Sequence, residues 1–436
     1  MIEAALAHRT GRPRPLPVRA VLTALLCLAL DDRPLFLTEA TRDRLEALAS
    51  ALLDASAAVL TDEERAAFDG CTGLDATPVP LFSRGPSNRS GRCASDPGGG
   101  WYARDGDHRE REDDKGKPLR KLAWALEATI ATTARPPGAQ PTSPNLAIGL
   151  ALARPGEDPG GTGARVLAPA AARGHKAGWP GYDRACTAAL PDRFHLPARA
   201  LGYRPVMDYR IDQPGIQANS QGTLLVEGGW YCPALPEPLI TATAGLRAKT
   251  IDRETYAERI AARAPYQLKR KDAPDADGYE RRSCPALGAH PGLMCPLRQT
   301  SLSPRHGRPK VVQPPPEPPK LCQQTAITIA PGLGARYRQD LPYGSPAWQA
   351  RYATPRNTIE GLNGFAKDPA HQALAQPGRR RARGIAAQSL FTALLLTTAN
   401  IRKIRAWHAL TATSETATAH RARRHRASLR DHLPDG

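Results

Sequence analysis

No apolar run in the chain is long enough to cross a bilayer. Val18 to Leu30 is apolar for about 13 residues and contains Arg19, against the ~20 residues a spanning helix needs. Arg12, Arg14 and Arg19 precede or begin that run in the manner of a leader peptide. However, Asp31 and Asp32 follow it with no small-residue cleavage pattern, so we read no secretion signal. Ser389 to Ile401 is a second short apolar run, expected as a buried helix. The chain also lacks Gly-x-x-x-x-Gly-Lys-Ser/Thr, which argues against ATP-driven work. Gly160-Gly161-Thr162-Gly163 is preceded by no clear strand, so it reads as a turn and not as a dinucleotide fingerprint. His-Glu-x-x-His and Gly-x-Ser-x-Gly are missing too, against the common zinc proteases and esterases. Eight cysteines scattered over 436 residues make no disulfide scaffold, and they suit a reducing cytoplasm. Aromatic residues are only 5% of a composition heavy in Ala and Arg, as expected of a genome rich in G and C.

Acidic charge is in short supply as well. Asp and Glu number 42 against 60 Lys and Arg, a net charge of +18. Such an excess implies a polyanionic partner, of which nucleic acid is the commonest, a solvated basic surface being the alternative. The excess is concentrated. From Gly378 to Gly436 there are 12 basic residues against 3 acidic ones, with Arg379, Arg380, Arg381 and Arg383 in one cluster and Arg421, Arg423, Arg424 and Arg426 in another. Runs of this kind neutralise phosphates without reading sequence, or else form a solubilising tail.

The length allows two or three domains, and an apolar content of 41% allows a sizeable core. Residues 1–70 read as helical: Arg19 to Leu30, a helix capped by Thr38, and a third starting at Thr61 before Asp62, Glu63 and Glu64. From about residue 73 the pattern changes. Leu74–Phe82 and Trp101-Tyr102 read as strands, Lys121–Thr132 and Asn145–Ala153 as apolar segments of strand or mixed character. Ala164–Arg173 reads as a helix, Gly178–Ala185 as a strand ending in a loop, Pro191–Leu201 as a short helix and Arg204–Arg210 as a strand. This order predicts an α/β domain over 71–212. Residues 213–345 read as an insertion of irregular and β character, with an extended proline-rich stretch at 304–319 and a strand at Ala326–Ala330. Thr354–Lys367 and Ala382–Leu410 are predicted helices that return to the first domain over 346–410, and 411–436 is a basic tail.

Chemistry concentrates on the helix predicted at 354. Thr354 can cap it and Pro355 suits its first position. Arg356, Glu360, Asn363 and Lys367 follow at spacings of four, three and four, on one face. That stripe suits a solvated face with an ion pair, although Arg before Glu is the weaker order. Gly361 and Gly364 each cost the helix about 1 kcal/mol, which suits a backbone pressed close to something large such as DNA.

Tyr352, Arg356, Glu360 and Lys367 resemble the Tyr-Arg-Glu-Lys signature of bacterial insertion-sequence transposases of the DDE type, in an actinobacterial-like version. Three residues separate Arg from Glu and six separate Glu from Lys, as in that family. The Tyr–Arg gap is three residues where the family has two. Leu74-Asp75-Ala76-Thr77-Pro78-Val79 resembles the family's first catalytic strand. Gly181-Tyr182-Asp183-Arg184-Ala185-Cys186 resembles its second Asp motif, with Cys186 where the family has Tyr. The resemblance covers roughly residues 70–405.

It implies an α/β fold with an RNase H-like catalytic core, an insertion domain and an N-terminal helical domain for DNA binding or dimerisation. Asp75, Asp183 and Glu360 are then the catalytic carboxylates, holding two Mg²⁺ (or Mn²⁺) ions, because in-line phosphodiester cleavage needs an activated nucleophile and a stabilised leaving oxygen. Arg356, Lys367, Tyr352, Asn363, Arg379, Arg380 and Arg381 are the expected DNA contacts. The implied partner is double-stranded DNA, both inverted-repeat ends and target, bound by a homodimer without a membrane, in the cytoplasm at the nucleoid. Three other readings compete: a catalytically decayed or domesticated DNA-binding relative, a nuclease without end specificity, and an interaction scaffold using the prolines at 304–319.

The cysteines form a second constellation. Cys284 and Cys295 have ten residues between them, Cys322 follows 27 positions later, and Cys232 lies in Trp230-Tyr231-Cys232-Pro233. Four thiolates suit a structural Zn²⁺ in a proline-rich insertion with little core of its own, with His290 and His306 as spare ligands. Free buried thiols are the alternative.

Overall fold

The computed structural model describes residues 39–87, 91–105, 120–139, 142–182, 184–302 and 307–430. Residues 1–42 and 43–436 separate into two units, and apart from the first residues of one helix everything below concerns the second. The helix expected at 19–30, its neighbour's cap Thr38, Asp183 and His306 lie outside the described residues.

Helix α1 spans Glu39–Ala57, and α2 spans Asp62–Ala66. Thr61 caps α2 as expected: its hydroxyl accepts from the Glu64 N–H, and the Glu64 carboxylate accepts from the Thr61 N–H. This reciprocal box satisfies two donors that a helix start leaves orphaned.

The sheet follows. Strand β1 is Thr72–Pro80, β2 Gly100–Asp105, β3 Arg120–Thr133 and β4 Ala147–Ala153. Helix α3, Pro159–Ala172, leads to β5, Pro180–Tyr182. The long β3 pairs antiparallel with β1 along one edge, and with β2 and then β4 along the other. β5 lies on the far side of β1 and runs parallel to it, with Gly73 opposite Gly181 and Leu74 opposite Tyr182. β4 runs in the same direction as β1, and the long crossover that brings the chain from β4 to β5 is α3 with its flanking loops. β4 is buried along its whole length and reads as an uninterrupted apolar run, as a strand covered on both faces must.

Two cores result. On one face Leu74, Ala131 and Ile148 pack with Val166 and Leu167 of α3. Six short helices, α4 to α9, follow at Arg184–Thr187, Leu196–Ala200, Glu237–Ile240, Ala242–Arg247, Arg253–Ala262 and Lys320–Gln323, and then two late ones, α10 at Pro346–Lys367 and α11 at Ile385–Arg430. On the other face, Val79, Leu126 and Ile130 pack with Leu53 of α1 and with α10 and α11 through Ile359, Leu362 and Leu396. The result is a mixed α/β unit with helices on both faces of a mixed sheet.

Several expectations are corrected. Gly160 to Gly163 are the first turns of α3, which Asp158 caps by accepting from the Gly161 N–H at 3.0 Å. Their small size has a packing reason: a Cβ at Gly160 would stand 2.4 Å from Ala189 Cβ, and one at Gly163 3.2 Å from the Cys186 sulfur. Arg204–Arg210 is not a strand and contributes one parallel bridge, Val206 to Gly181. α10 starts at Pro346 with Ser345 as its cap, so Thr354 caps nothing and Pro355 lies inside the helix. The basic region after 411 continues α11 as helix to Arg430. Pro191–Leu201 is helical as expected, a π turn at Pro191–His195 followed by an α turn at Leu196–Ala200.

The insertion has its own core. Strands β6 (Ile216–Ser220), β7 (Thr223–Val226) and β8 (Gly229–Tyr231) form one small sheet. Strands β9 (Lys269–Arg270), β10 (Glu280–Ser283) and β11 (Ile327–Ile329) form another, with short helices between. Leu225, Trp230, Leu293, Leu321 and Ile329 pack between them. Two buried ion pairs add to this core: Arg263 with Glu227 at 2.6 Å, and Arg338 with Glu280. The insertion's two ends meet: Tyr209 and Tyr343 rings lie 4.7 Å apart, and Tyr343 donates to Asp208 at 2.5 Å. Among the described residues no helix is long and apolar enough to cross a membrane.

Candidate active site

The site is set by how α10 sits on the sheet. Gly73 on β1 and Gly181 on β5 are register partners, and Pro355 lies against both. A Cβ at Gly73 would stand 2.4 Å from the Pro355 carbonyl oxygen, and one at Gly181 2.9 Å from Pro355 Cβ. Proline inside a helix loses a backbone hydrogen bond and costs about 3 kcal/mol. Here the ring fills the shallow seat that two adjacent glycines leave.

Two turns further on, α10 reaches Asp75. Asn363 Nδ2 donates to Asp75 Oδ2 at 2.9 Å, across 288 residues of sequence. Asn363 was expected at DNA, yet it is 5% exposed and faces the sheet. Asp75 is half-buried on β1. β5 ends at Tyr182, opposite Leu74, so its pairing with β1 stops one residue before Asp75.

Glu360, one turn before Asn363, is exposed on the outer side of α10. Arg356 Nε donates to Glu360 Oε1 at 3.0 Å, and Arg356 Nη1 donates to the Tyr352 hydroxyl at 2.6 Å. The Arg356 guanidinium lies 5.7 Å from the Tyr352 ring centre, and Tyr352 stacks on Trp348 at 4.9 Å and 12°. Thus Tyr352, Arg356 and Glu360 form one chain of contacts along α10, as their four-residue spacing allows. Lys367 stands in the last turn, half-buried.

A cleft of about 410 Å³ opens beside Asp75, lined also by Tyr102, Glu127, Thr129 and Cys186. Sequence reasoning missed Glu127. It is the one charged residue in the largely apolar Leu122–Ile130 segment, which was the available signal. Burial raises its carboxyl above the usual range, opposed by an N–H from Gly156 at 3.2 Å. Cys186 is 7% exposed and also packs in the α3-side core.

The arginine cluster divides. Arg380 is 3% exposed and donates to the carbonyls of Pro80 and Ala373. Burial pulls its guanidinium down to about 10. It is therefore an internal strut and not a phosphate contact, which corrects the expectation. Arg379 and Arg381 are exposed, with Arg381 5.0 Å over the exposed Phe82 ring. A second cleft of about 280 Å³ is lined by Phe82, Arg84, Arg92, Arg381 and Arg383.

Among the described residues, no three His, Cys, Asp or Glu side chains are already gathered as a metal cage. The four candidate zinc cysteines are all buried and none forms a disulfide. His290 is exposed, and its carbonyl accepts from Lys269. No family model, curated protein or solved structure matches the chain.

Proposed function

We propose that the chain is a DDE transposase, cutting one DNA strand at each end of its element and joining the freed 3′-hydroxyl to target DNA. The observation that carries this reading is the Asn363–Asp75 bond, which fixes the helix of Glu360 over the strand of Asp75. Strand order supports it: β4, β3 and β1 are antiparallel neighbours and β5 is added parallel beside β1, the arrangement expected of an RNase H-like core. Asp75 then lies on the first strand, Asp183 follows the parallel strand, and Glu360 lies on a late helix.

The donor set fits a hard divalent cation. Asp75 and Glu360 supply carboxylate oxygens, the donors such a cation takes, and Glu360 is tied to the partly exposed Arg356, an ion pair worth little in water. Asp75, Asp183 and Glu360 would hold Mg²⁺ or Mn²⁺, which supplies charge neutralisation at the scissile phosphate. Asn363 holds the Asp75 carboxylate toward α10, the helix that carries Glu360. Arg356 can exchange Glu360 for a DNA phosphate without moving its backbone, and Lys367 lies on the same helix to hold a neighbouring phosphate. In the first step a water oxygen bonds to phosphorus, the P–O3′ bond breaks, and the 3′ oxygen leaves with a proton as a hydroxyl. In the second that hydroxyl attacks a target phosphodiester and displaces its 3′ oxygen.

The test is cleavage of a duplex carrying the element's own ends. Nicking with Mg²⁺ or Mn²⁺, abolished by Asp75→Ala, Asp183→Ala or Glu360→Ala, is expected. Cutting that survives Asp75→Ala and Glu360→Ala would overturn the reading. A second reading, a decayed DNA-binding relative, is favoured by Cys186, which stands in the cleft wall where the transposase signature has Tyr. Tight end binding without metal-dependent nicking is its signature.

A further inference from the structure

We propose that Cys232, Cys284, Cys295 and Cys322 together bind one structural Zn²⁺ that closes the core of the insertion. These residues span 91 positions of sequence, yet the fold gathers them. Cys232, Cys284 and Cys295 belong to one packed core, in which Cys322 is preceded by the fully buried Leu321. Three of them open the same local structure. Each is a Cys-Pro pair starting a turn, closed by the N–H of the third residue onward: Leu235 to the Cys232 carbonyl at 3.0 Å, Leu287 to Cys284 at 3.0 Å, Arg298 to Cys295 at 2.9 Å. Such a turn frees the intervening amide to face the sulfur, and the N–H groups of Ala234 and Ala286 bond to the Cys232 and Cys284 sulfurs.

Arg298 ties the set together. It donates to the Cys284 sulfur, and its Nη2 donates to the carbonyls of Leu321 at 3.1 Å and Gln324 at 2.6 Å, on either side of Cys322. Cys232 is joined to the same region from the other side: its N–H donates to the Tyr266 carbonyl at 2.9 Å, while Lys269 donates to the carbonyls of Leu287 and His290 beyond Cys284. No three sulfurs already stand as a cage, so binding draws them in from within one core. Soft thiolates select zinc, and the insertion has the need: its strands are two to five residues long and the described part of its proline-rich strap, 307–319, forms no helix.

The experiment is metal analysis of the full-length chain, purified with zinc and dialysed against metal-free buffer. About one zinc per chain is expected, and cobalt exchange should give sulfur-to-cobalt charge-transfer bands with tetrahedral d–d bands. Cys→Ser at any of the four positions should empty the site, whereas Cys93→Ser, at an exposed cysteine elsewhere, should leave it full. A wild-type chain that retains no zinc and shows no cobalt–thiolate bands overturns the proposal, as do four Ser variants that bind as wild type. If those variants do not fold, the wild-type metal content and cobalt spectrum decide. None of these readouts involves DNA, so they stand apart from the transposase reading.

Discussion

Asn363 and Asp75 make one hydrogen bond, and its role can be separated from DNA affinity. A hydrogen bond to a charged group contributes about 1.5–3 kcal/mol, so Asn363→Ala should slow metal-dependent nicking by roughly ten- to a hundredfold. Because Asn363 is buried, binding of the end duplex should be unchanged in a gel-shift titration. His195 offers a test of stability. It is fully buried against Phe194, and burial, helped by Arg199, holds its imidazole down to about 4. The unfolded residue titrates near 6.5, so between those values the unfolded chain binds the extra proton. Stability from this residue is complete above pH ~6.5 and is lost as the pH falls toward 4, by at most about 3 kcal/mol. Urea midpoints followed over that window should show the slope, and His195→Leu should flatten it. Neither residue's role was legible beforehand. Asn363 sits on the same helical stripe as Glu360, and only the sheet's position turns one inward and leaves the other in water.

At the level of elements, the seat of α10 is the sharpest prediction. Gly73→Ala places a Cβ against backbone, which no side-chain rotation relieves, and should cost about 1–3 kcal/mol or more by chemical denaturation. Gly181→Ala should act in the same direction. Gly361→Ala and Gly364→Ala lie on the exposed side of α10 with nothing within 4 Å, and should raise stability by about 1 kcal/mol each. If those glycines admit DNA to the backbone, the same two variants should weaken end binding. The strands were readable because alternation or continuous apolarity marks them, as at β1 and β4. The start of α10 was not. Thr354-Pro355 and Ser345-Pro346 carry the same local start signal, and the choice falls to tertiary packing: Trp348 and Tyr352 join the aromatic cluster, and Pro355 fits the glycine pair. The glycine-rich start of α3 was misread for a similar reason, since Asp158 and Ala189 justify those glycines only in three dimensions.

For the molecule as a whole, net charge announces a polyanionic partner but not which arginines meet it. Arg379→Ala and Arg381→Ala should each reduce the salt dependence of duplex binding by about one phosphate, with stability unchanged. Arg380→Ala should leave the salt slope alone and lower the unfolding midpoint, because it opens a void beneath Pro80 and Ala373. The sheet of β9, β10 and β11 and the two buried ion pairs were not legible, because Glu280 meets Ile329 and Arg338, and Glu227 meets Arg263, tens of residues away in sequence.

The clasp of Asp208, Tyr209 and Tyr343 carries a consequence for how such a chain can change. Where a segment leaves and returns through one point, its length is no concern of the unit that bears it. The stretch between Tyr209 and Tyr337, whose carbonyl accepts from the Tyr209 hydroxyl at 2.5 Å, can be exchanged, enlarged or trimmed while the hinge stones stay in place. Gene-level insertions and deletions are accordingly best tolerated inside this loop, and worst tolerated at the three side chains that close it.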